Sequence, residues 1–458
     1  MTKIDLGAPL RHLLEQFGQK NIALFCVGGC VRNKLLSLPV KDIDVCAAHP
    51  PASLLDLSFK NIMIHPREYG LGTLIIEQCF EDAQYTYEYT AFRKDNYGRQ
   101  GSHKPEHIQY TSDILEDAKR RDFTINALYA DKTGAVADPT GRGLADLERR
   151  SVAQIMPFTI SEDALRIMRM VRFACTLGFS IEPDTLTAAK ENISKLANIS
   201  KERVRDEFFM ILLADTAYGQ KDGVLRGLEL LKELGALQYI IPSLLSGEGF
   251  AQNAEYHKYD VLDHAIHSCA AAPPDLITRL AALLHDIAKP SVYFRDHNMY
   301  AHPEDGAHMA EQTLAALRTP KDITEKVSGL VRRHMFDLGN SAKEKAVLRL
   351  LSKLGREQFL RLIELRRADF LGSGKGNEAK SADKWQAILE KLEQSNAPIE
   401  KSALKVNGHD IMKELQIGPS PLVGHILAEL HTIALKKPSQ NNYKSLIRYA
   451  RMIYTRYR

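Results

Sequence analysis

Two aspartates near the N-terminus have the type and spacing of metal ligands. Asp42 and Asp44 flank Ile43 in the β-rich segment DIDVCA. Residues two apart in a strand leave the same face, so both carboxylates could share divalent cations while Ile43 points to the core. Two adjacent carboxylates are costly without a cation, because each disfavours ionisation of the other. Taken alone, such a pair is more often a solvated acidic strand than a metal site.

A glycine pair precedes these aspartates. Gly28 and Gly29 follow the β-rich run IALFCV and open the helical pattern VRNKLLSL, which contains Arg32. Glycine lets a ligand approach the backbone closely, and the free N–H groups at a helix start favour an anion. With the positive charge of Arg32 nearby, the turn is a candidate phosphate site. A glycine turn followed by D-x-D is much more specific than either feature alone.

The elements that must position these residues change character near residue 150. Short β-rich runs such as GTLIIEQ and YTYEYTAF alternate with helical stretches before that point, whereas later segments have helical periodicity with Gly or Pro at their ends. We therefore predict an α/β or α+β head with a mixed sheet, followed by almost wholly helical structure, and we assign the whole chain to the α+β class. The predicted parts are a head at 1–150, a helical neck at 151–250, a helical domain at 251–375 and a basic helical tail at 376–458.

The composition is that of a globular chain in water. Of 458 residues, 44% are hydrophobic and 26% charged, which excludes a disordered, collagenous or coiled-coil protein. The N-terminus has no signal-like apolar core and no apolar run reaches 18 residues, so we expect a cytoplasmic protein without a membrane span. The six cysteines lack C-x-x-C spacing, so neither a disulfide framework nor a zinc site is indicated.

Basic charge is concentrated at the end of the chain. The formal net charge of +4 is too small to establish a polyanionic partner. Residues 401–458, however, contain ten Lys and Arg against three Asp and Glu. This excess predicts a phosphate-contacting surface, although a solvated basic helix would have the same composition.

The string GGCVRNKLLSLPVKDIDV resembles the signature of class II CCA-adding tRNA nucleotidyltransferases and bacterial poly(A) polymerases. These enzymes belong to the DNA polymerase β-like superfamily. Asn33 stands where the family commonly has Asp, and Ser37 where it commonly has Gly. The resemblance implies a polymerase β-like head in which Asp42 and Asp44 hold Mg²⁺. It also makes Glu88, in YEYTAFR, a candidate third carboxylate.

A second string, RRDFTIN, is similar to the family motif RRDFTxNA, which contacts the sugar and phosphates of the incoming nucleotide. Arg121 can fork to phosphate oxygens, while Asp122 and Asn126 offer acceptors and donors for ribose hydroxyls. The preceding stretch at 92–106 looks like the mobile loop of the CCA-adding group.

The segment ISEDALRIMRMVRFACTLGF predicts one helix with Ser161 as its N-cap. Asp163 and Arg166 would share a face, and the spacing alone is explained by stabilising ion pairs. The string also resembles the nucleotide-selecting motif of class II CCA-adding enzymes, with Arg169 and Arg172 as neighbouring supports. Poly(A) polymerases carry similar strings, so this helix does not separate the two activities.

The functional interpretation of this helix rests on the Watson–Crick edges of the bases. Cytosine and adenine both present an amino donor beside a ring-nitrogen acceptor, whereas uracil and guanine present a carbonyl beside a ring N–H. An acceptor at Asp163 beside a donor at Arg166 would therefore fit C and A and reject U and G.

A set of histidines and aspartates in the helical half resembles the H…HD…D arrangement of HD-domain metal-dependent phosphohydrolases. It consists of His264, His285, Asp286 and Asp369, with His302 and His334 as additional candidate ligands. Imidazoles and carboxylates suit a transition metal or Mg²⁺ and Mn²⁺, and a bound water could attack a phosphoester. The resemblance thus implies a second divalent metal.

These observations together predict an RNA nucleotidyltransferase that uses CTP, ATP and Mg²⁺ to add C and A to tRNA 3′ ends. A bacterial poly(A) polymerase and an enzyme that adds only the terminal A remain open alternatives. A third alternative is a phosphohydrolase whose active centre is the HD domain and whose head binds RNA. The patterns do not define an oligomeric state.

Overall fold

The computed structural model describes residues 2–67, 72–96, 107–376 and 379–457. The chain forms two compact units, Met1–Ile240 and Ile241–Arg458. Most of the stretch at 92–106, namely residues 97–106, lies outside the described residues. None of the described helices has the length and apolar character needed to cross a membrane.

The first unit contains all the strands of the described residues. They are β1 (Phe25–Val27), β2 (Asp44–Ala47), β3 (Ile62–Pro66), β4 (Thr73–Phe80), β5 (Ala83–Ala91), β6 (Arg93–Asn96), β7 (His107–Tyr110), β8 (Tyr129–Ala130), β9 (Val136–Ala137), β10 (Ser151–Val152) and β11 (Ser180–Ile181). Seven of them form one sheet in the order β3-β4-β5-β2-β1-β8-β9. The pair β2–β5 is parallel and its other pairs are antiparallel, so the predicted mixed sheet is confirmed.

Among its described residues, the first unit also contains twelve α-helices. They are α1 (Ala8–Gln19), α2 (Gly29–Leu35), α3 (Pro51–Leu55), α4 (Ile114–Lys119), α5 (Gly143–Glu148), α6 (Thr159–Glu162), α7 (Leu165–Leu177), α8 (Pro183–Asn192), α9 (Lys201–Leu212), α10 (Ala214–Tyr218), α11 (Gly223–Glu233) and α12 (Leu237–Ile240). Short 3₁₀ turns occur at Thr124–Asn126 and Ile193–Asn198.

The second unit has helices and no strands among its described residues, as the sequence predicts. In the neck, which the sequence predicts to be all-α, the two-residue strands β10 and β11 pair with each other and are an exception. The helices of the second unit are α13 (Val261–Ala271), α14 (Leu276–Leu284), α15 (Lys289–Asp296), α16 (His302–Ala316), α17 (Lys321–Val331), α18 (Glu344–Leu354), α19 (Arg356–Gly372), α20 (Lys380–Gln394), α21 (Gly408–Leu415), α22 (Pro421–Lys436) and α23 (Tyr443–Tyr454). Short 3₁₀ turns lie at Pro242–Gly247, Lys401–Ala403 and Pro438–Gln440. The α+β fold class is therefore confirmed.

The helix predicted from Ser161 onward is wrong in its N-terminal part. Two helices replace it, because Asp163 adopts an extended conformation (φ −141°, ψ 102°) between α6 and α7. The hydroxyl of Ser161 donates to the carbonyl of Phe158 at 2.8 Å, so it does not cap α7. The carboxylate of Asp163 accepts from the N–H of Leu165 at 3.0 Å instead. An acceptor at this position satisfies an N–H that the first turn of a helix leaves unpaired.

Candidate active site

A cleft of about 860 Å³ in the first unit brings together the residues that the head motifs single out. Its wall includes all the predicted nucleotide-binding residues and both predicted metal-binding aspartates, namely Gly28, Gly29, Arg32, Asp42, Asp44, Arg121, Asp122, Asn126, Asp163, Arg166, Arg169 and Arg172. The first five come from the chain between β1 and β2, which includes α2 and ends at the first residue of β2, while the last four come from α7 and the residues just before it.

The predicted metal ligands lie at the start of β2. Asp44 begins this strand, pairs with Val27 of β1 on one side and stands opposite Glu88 of β5 on the other. Asp42 precedes the strand rather than lying in it, so only one of the two aspartates has the predicted strand conformation. The carboxylate of Glu88 also accepts from Arg67 at 2.5 Å.

The charge around Asp44 favours a cation. Although Asp44 is exposed to solvent, desolvation by the surrounding cleft raises its pKa, and the negative charges of Glu88 and Asp42 raise this pKa further, whereas Arg121 lowers it. A divalent cation would relieve this repulsion, so the donor set fits such an ion. The carboxylates of Asp42, Asp44 and Glu88 are nevertheless farther apart than in a preformed metal site. Among the described residues, they do not form a group in which one oxygen of each lies within 4.8 Å of the others.

The glycine turn sits at the centre of the cleft. Gly28 has φ +75° and ψ −132°, a conformation that residues with a side chain rarely adopt. A Cβ on Gly28 would lie 3.8 Å from both Nη1 of Arg121 and Oδ2 of Asp44, and 3.7 Å from the carbonyl of Asn126. The missing side chain therefore leaves room between groups of opposite charge, where a metal–phosphate ligand could lie.

Arg32 is the buried cation of this turn, with only 4% of its surface exposed. Its Nη1 donates to Oδ1 of Asn126 at 2.6 Å, and its Nε and Nη2 donate to Oδ1 of Asn33 at 3.1 and 2.8 Å. Burial lowers the pKa of Arg32, and the nearby charge of Arg172 lowers it further. The guanidinium thus rests on neutral amide oxygens, which leaves its charge available to an anion.

Of the two departures from the family pattern, Asn33 has a clear structural role, whereas Ser37 adopts a backbone conformation that favours glycine. The Oδ1 atom of Asn33 accepts hydrogen bonds from Arg32. Its Nδ2 atom donates to the carbonyl of Pro39 at 2.8 Å and to the hydroxyl oxygen of Tyr218 at 2.9 Å. A carboxylate could not donate to that carbonyl. Ser37 has φ +56°, in the left-handed region where glycine is the residue of least strain.

The segment RRDFTIN follows α4, and its first two arginines converge on Asp117. This aspartate is fully buried and accepts from Nε of Arg120 at 2.8 Å, from Nη2 of Arg121 at 3.0 Å and from the hydroxyl of Tyr129 at 2.6 Å. Burial alone would raise the pKa of Asp117, but Arg121 and Arg120 lower it. Our sequence reasoning missed Asp117, although its spacing of three and four residues from these arginines on a helix is a recognisable ion-pair signal.

Asp122 connects this segment to α7. Its Oδ1 accepts from Nδ2 of Asn126 at 3.0 Å, and its Oδ2 accepts from Nε and Nη2 of Arg169 at 2.8 and 2.6 Å. Burial alone would raise its pKa, but Arg169 and Asn126 lower the pKa of Asp122 to about 2. The carboxylate is therefore ionised and held in place.

The arginines of α7 are engaged by the protein itself. Arg166 is buried and donates to the carbonyls of Thr159 and Arg120 at 2.8 and 2.7 Å. Arg172 donates from Nε to Glu207 at 2.6 Å. Burial raises the pKa of Asp163, which lies beside Arg166 in the wall of the cleft. The pairing of a base with Asp163 and Arg166 stays a prediction.

The second unit holds a separate cluster of candidate metal ligands, in which two groups of three meet. His264, His285 and Asp369 form one group, with each ligand atom within 4.8 Å of the others. The Nε2 atom of His264 is 3.1 Å from Oδ1 of Asp369. Burial alone would lower the pKa of His285, but Asp286 and Asp369 raise it to about 10.

Asp286, His302 and His334 form the other group. Nε2 of His302 and Nε2 of His334 lie 3.3 and 3.5 Å from Oδ1 of Asp286. Asp286 also lies 3.2 Å from Nε2 of His285, so it joins the two groups. All six predicted HD-type ligands thus come together.

Backbone carbonyls fix the orientation of three of the four imidazoles in this cluster through hydrogen bonds with Nδ1. Nδ1 of His285, His302 and His334 lies 2.7, 2.5 and 2.6 Å from the carbonyls of Ala282, Met299 and Val331. With the proton kept on each Nδ1, loss of the Nε2 proton on metal binding would leave Nε2 as the ligand atom, an arrangement typical of metal-ligating histidines. Oδ1 of Asp286 is buried and receives no hydrogen bond from the described residues, which also fits a divalent ion.

A cavity of about 670 Å³ opens over this cluster. Lys289 lines it and contacts Oδ2 of Asp286 at 2.6 Å. His257, which belongs to none of the sequence motifs, packs edge-on against His264 with ring centroids 4.7 Å apart. The remaining wall is partly apolar and includes Met335 and Phe370.

Comparison with protein families agrees with this arrangement. The profile of the poly A polymerase head domain matches residues 24–153. The probable RNA and SrmB-binding site of polymerase A matches residues 178–247, and the HD domain matches residues 256–371. The fold and the cleft therefore define a nucleotidyltransferase head joined to an HD domain.

Relatives of known name narrow this class. An A-adding tRNA nucleotidyltransferase of Deinococcus radiodurans is 30% identical over 69% of this chain and 74% of its own length. A multifunctional CCA protein of Azoarcus is 31% identical over 80% of this chain and 88% of its own length. A CCA-adding enzyme of Streptococcus pneumoniae is 28% identical over 96% of each chain. The chain belongs to the family of CCA-adding and A-adding tRNA nucleotidyltransferases.

A solved structure extends the likeness to the whole fold. The CCA-adding enzyme of Bacillus stearothermophilus, in complex with CTP, superposes with a TM-score of 0.71 over 98% of this chain and 97% of that one. Its sequence identity is 24%. The fold is thus shared along nearly the full length.

Proposed function

We propose that this protein adds C and A from CTP and ATP to the 3′ end of tRNA without a nucleic-acid template. The observation that carries the proposal is the single cleft in which the glycine turn, the Asp42–Asp44 pair and the arginines of α7 meet. The sequence relatives include both CCA-adding and A-adding enzymes, and they support this chemistry.

In the proposed reaction, the tRNA 3′-oxygen forms a bond to the α-phosphorus while the bond to the β-phosphate oxygen breaks. Pyrophosphate leaves and the hydroxyl proton passes to solvent. Asp42 and Asp44 would hold Mg²⁺, and the chemistry such ions supply is activation of the hydroxyl and neutralisation of phosphate charge. Gly28 and Arg32 would receive the triphosphate, and Arg121 would contact its oxygens.

Base choice would lie at Asp163. Its carboxylate accepts from the N–H of Leu165 at 3.0 Å, and its remaining acceptor capacity could receive the amino group of C or A. Asn at this position keeps the cap but adds a donor, so Asp163→Asn separates the two roles. We expect it to reduce incorporation of both CMP and AMP; loss of only one would contradict a shared acceptor.

The decisive experiment supplies tRNA lacking its 3′ terminus with each nucleoside triphosphate separately and with CTP and ATP together. We expect two C residues from CTP alone and three added residues from the mixture. Long tails from ATP alone would instead identify a poly(A) polymerase. No addition to this tRNA, together with addition of one A to a second substrate that ends in CC, would identify an A-adding enzyme.

A pair of matched variants tests the catalytic aspartates in the same assay. Asp42→Asn should abolish nucleotide addition, because a metal ligand is lost. Binding of tRNA should persist, because most of the protein surface that contacts RNA is unchanged. Asp56→Asn is the control, since Asp56 is an exposed residue at the end of α3 in the same unit. Full activity of the Asp42 variant would refute the assigned role.

The preorganised cluster of the second unit favours a second candidate function, metal-dependent phosphoester hydrolysis. His264, His285, Asp286, His302, His334 and Asp369 would hold the metal, and Lys289 would face the phosphate. We expect Mn²⁺ to raise the melting temperature of the wild type but not of His285→Ala. Hydrolysis of cyclic nucleotides or phosphomonoesters should survive Asp42→Asn and vanish in His285→Ala. His308→Ala, a change at an exposed histidine, serves as the control.

The basic tail is the proposed surface for the tRNA backbone. The helix α23 carries Lys444, Arg448 and Arg451. Its apolar side packs with α21 and α22 around Ile411, Ile426 and other buried residues, which leaves the basic side chains at the surface. Lysine and arginine at such a surface can replace the counterions of phosphate.

A further inference from the structure

The ring of Phe173 lies among three of the arginines that line the cleft. Phe173 belongs to α7 and is 6% exposed. The guanidinium carbons of Arg172, Arg32 and Arg169 lie 4.2, 5.0 and 5.4 Å from its ring centroid. Each distance is within the range in which the negative face of an aromatic ring attracts a cation.

Carboxylates balance two of these arginines but not the third. Arg169 pairs with Asp122, and Arg172 pairs with Glu207. Arg32 has no ion pair with a carboxylate among the described residues. The groups that contact it are the amide oxygens of its neighbours, the hydroxyl of Tyr218 and the ring of Phe173, while the charge of Asp122 attracts it without an ion pair. Three like charges this close repel one another, so the ring supplies attraction where the charge balance is poorest.

The ring itself is fixed between two site segments. Phe123, in the middle of RRDFTIN, meets it edge-on with centroids 5.9 Å apart and an interplanar angle of 83°. Arg32 comes from α2, directly after the glycine turn, whereas Arg172 precedes Phe173 on α7. Phe173, which belongs to α7, therefore contacts both α2 and the RRDFTIN segment.

We propose that Phe173 is a positioning residue for binding of the nucleoside triphosphate. The π electrons of its ring hold the guanidinium of Arg32 in the cleft. This inference rests on the proposed function, because it requires a polyphosphate ligand in the cleft. A phenylalanine that only fills space would depend on its volume and be insensitive to the charge distribution of its ring. Ring fluorination separates the two roles, since it weakens the negative face and changes the volume little.

The test replaces Phe173 with phenylalanines that carry one, two and three ring fluorines and measures binding of ATP and of inorganic tripolyphosphate by calorimetry. We expect the dissociation constant of both to rise with each fluorine, to about tenfold at three. The same series at Phe17, which is buried in the same unit and stacks on Phe59, is the control and should leave binding unchanged. Melting temperature is followed throughout, and we expect no trend with fluorine number.

Other outcomes overturn the inference. Unchanged affinity across the Phe173 series would show that the ring acts by volume alone, and an equal loss in the Phe17 series would show a general effect on the fold. If the unsubstituted protein bound neither ATP nor tripolyphosphate, the proposed function would fail first and this inference with it. The two failures are distinguishable. Failure of the proposed function appears in the unsubstituted protein, whereas failure of the inference alone appears only when the fluorinated variants are compared with it.

Discussion

Replacement of Asp117 by Asn tests whether the buried carboxylate sets the position of Arg120 and Arg121. Asp117 has no exposed surface, and the side chains of Arg120 and Arg121 are 14% and 15% exposed. Asparagine has the same size, so the change creates no cavity. It removes the negative charge and leaves one carbonyl oxygen to serve two guanidinium groups and the hydroxyl of Tyr129.

The expected cost follows from this burial. Removal of one partner from a buried ion pair costs about 3–5 kcal/mol, because the other charge is left without compensation. A second effect falls on function, since Arg121 lines the cleft beside Gly28 and Asp44. We therefore expect Asp117→Asn to destabilise the first unit and to lower kcat/KM for nucleotide addition.

The assay must report on the first unit. The only tryptophan, Trp385, lies in the second unit, so its fluorescence is a poor probe of the head. Hydrogen exchange of peptides that contain α4 and β8 gives the local free energy of opening directly. Asp113→Asn is the matched control on the same helix, because Asp113 is an exposed N-cap where Asn is equally effective. Equal exchange in the wild type and Asp117→Asn would refute the assigned role.

Two further predictions concern the same cleft. The pKa of Asp122 is about 2 in the folded protein, below its usual value, so its ionised form contributes about 2 kcal/mol of stability that is complete above about pH 4 and lost as the pH falls towards 2. The stability difference between wild type and Asp122→Asn, measured by urea unfolding, should therefore shrink on acidification, and a constant difference from pH 7 to pH 3 would contradict the ion pair with Arg169. Gly28→Ala should cost about 1–3 kcal/mol because of its positive φ, and should weaken ATP binding. Gly29→Ala, at the first residue of α2, should be tolerated; similar losses in both variants would refute the conformational argument.

Local motifs were sufficient to predict the family and the α+β fold class, both of which are confirmed. The glycine turn and the D-x-D pair are short-range patterns, and their chemistry depends on residue type and strand periodicity. The six HD-type ligands were also named from spacing and resemblance. Their convergence, however, could not be calculated from spacing, because they come from several helices separated by up to about a hundred residues of chain.

Other features depend on contacts between distant segments. The break at Asp163 contradicts the helix predicted from Ser161. Helical periodicity continues through the break, which is visible only in the extended backbone of Asp163 and in the hydrogen bonds of Asp163 and Arg166. Asp117 could have been recognised from its helical spacing, but its contact with Tyr129 could not. His257 had no signal at all, because a histidine before a helix has many equivalent roles.

The sequence by itself determined which chemical groups this protein possesses and the local conformation of the turn that carries them, because residue type and short-range sterics act within a few positions. Only the tertiary structure decided which charges are paired and which remain available to a ligand. Arg169 and Arg172 are neutralised by Asp122 and Glu207, whereas Arg32 rests on amide oxygens and an aromatic ring. Such a distinction depends on distances of a few ångströms between segments far apart in the chain, over which electrostatic energies change most steeply.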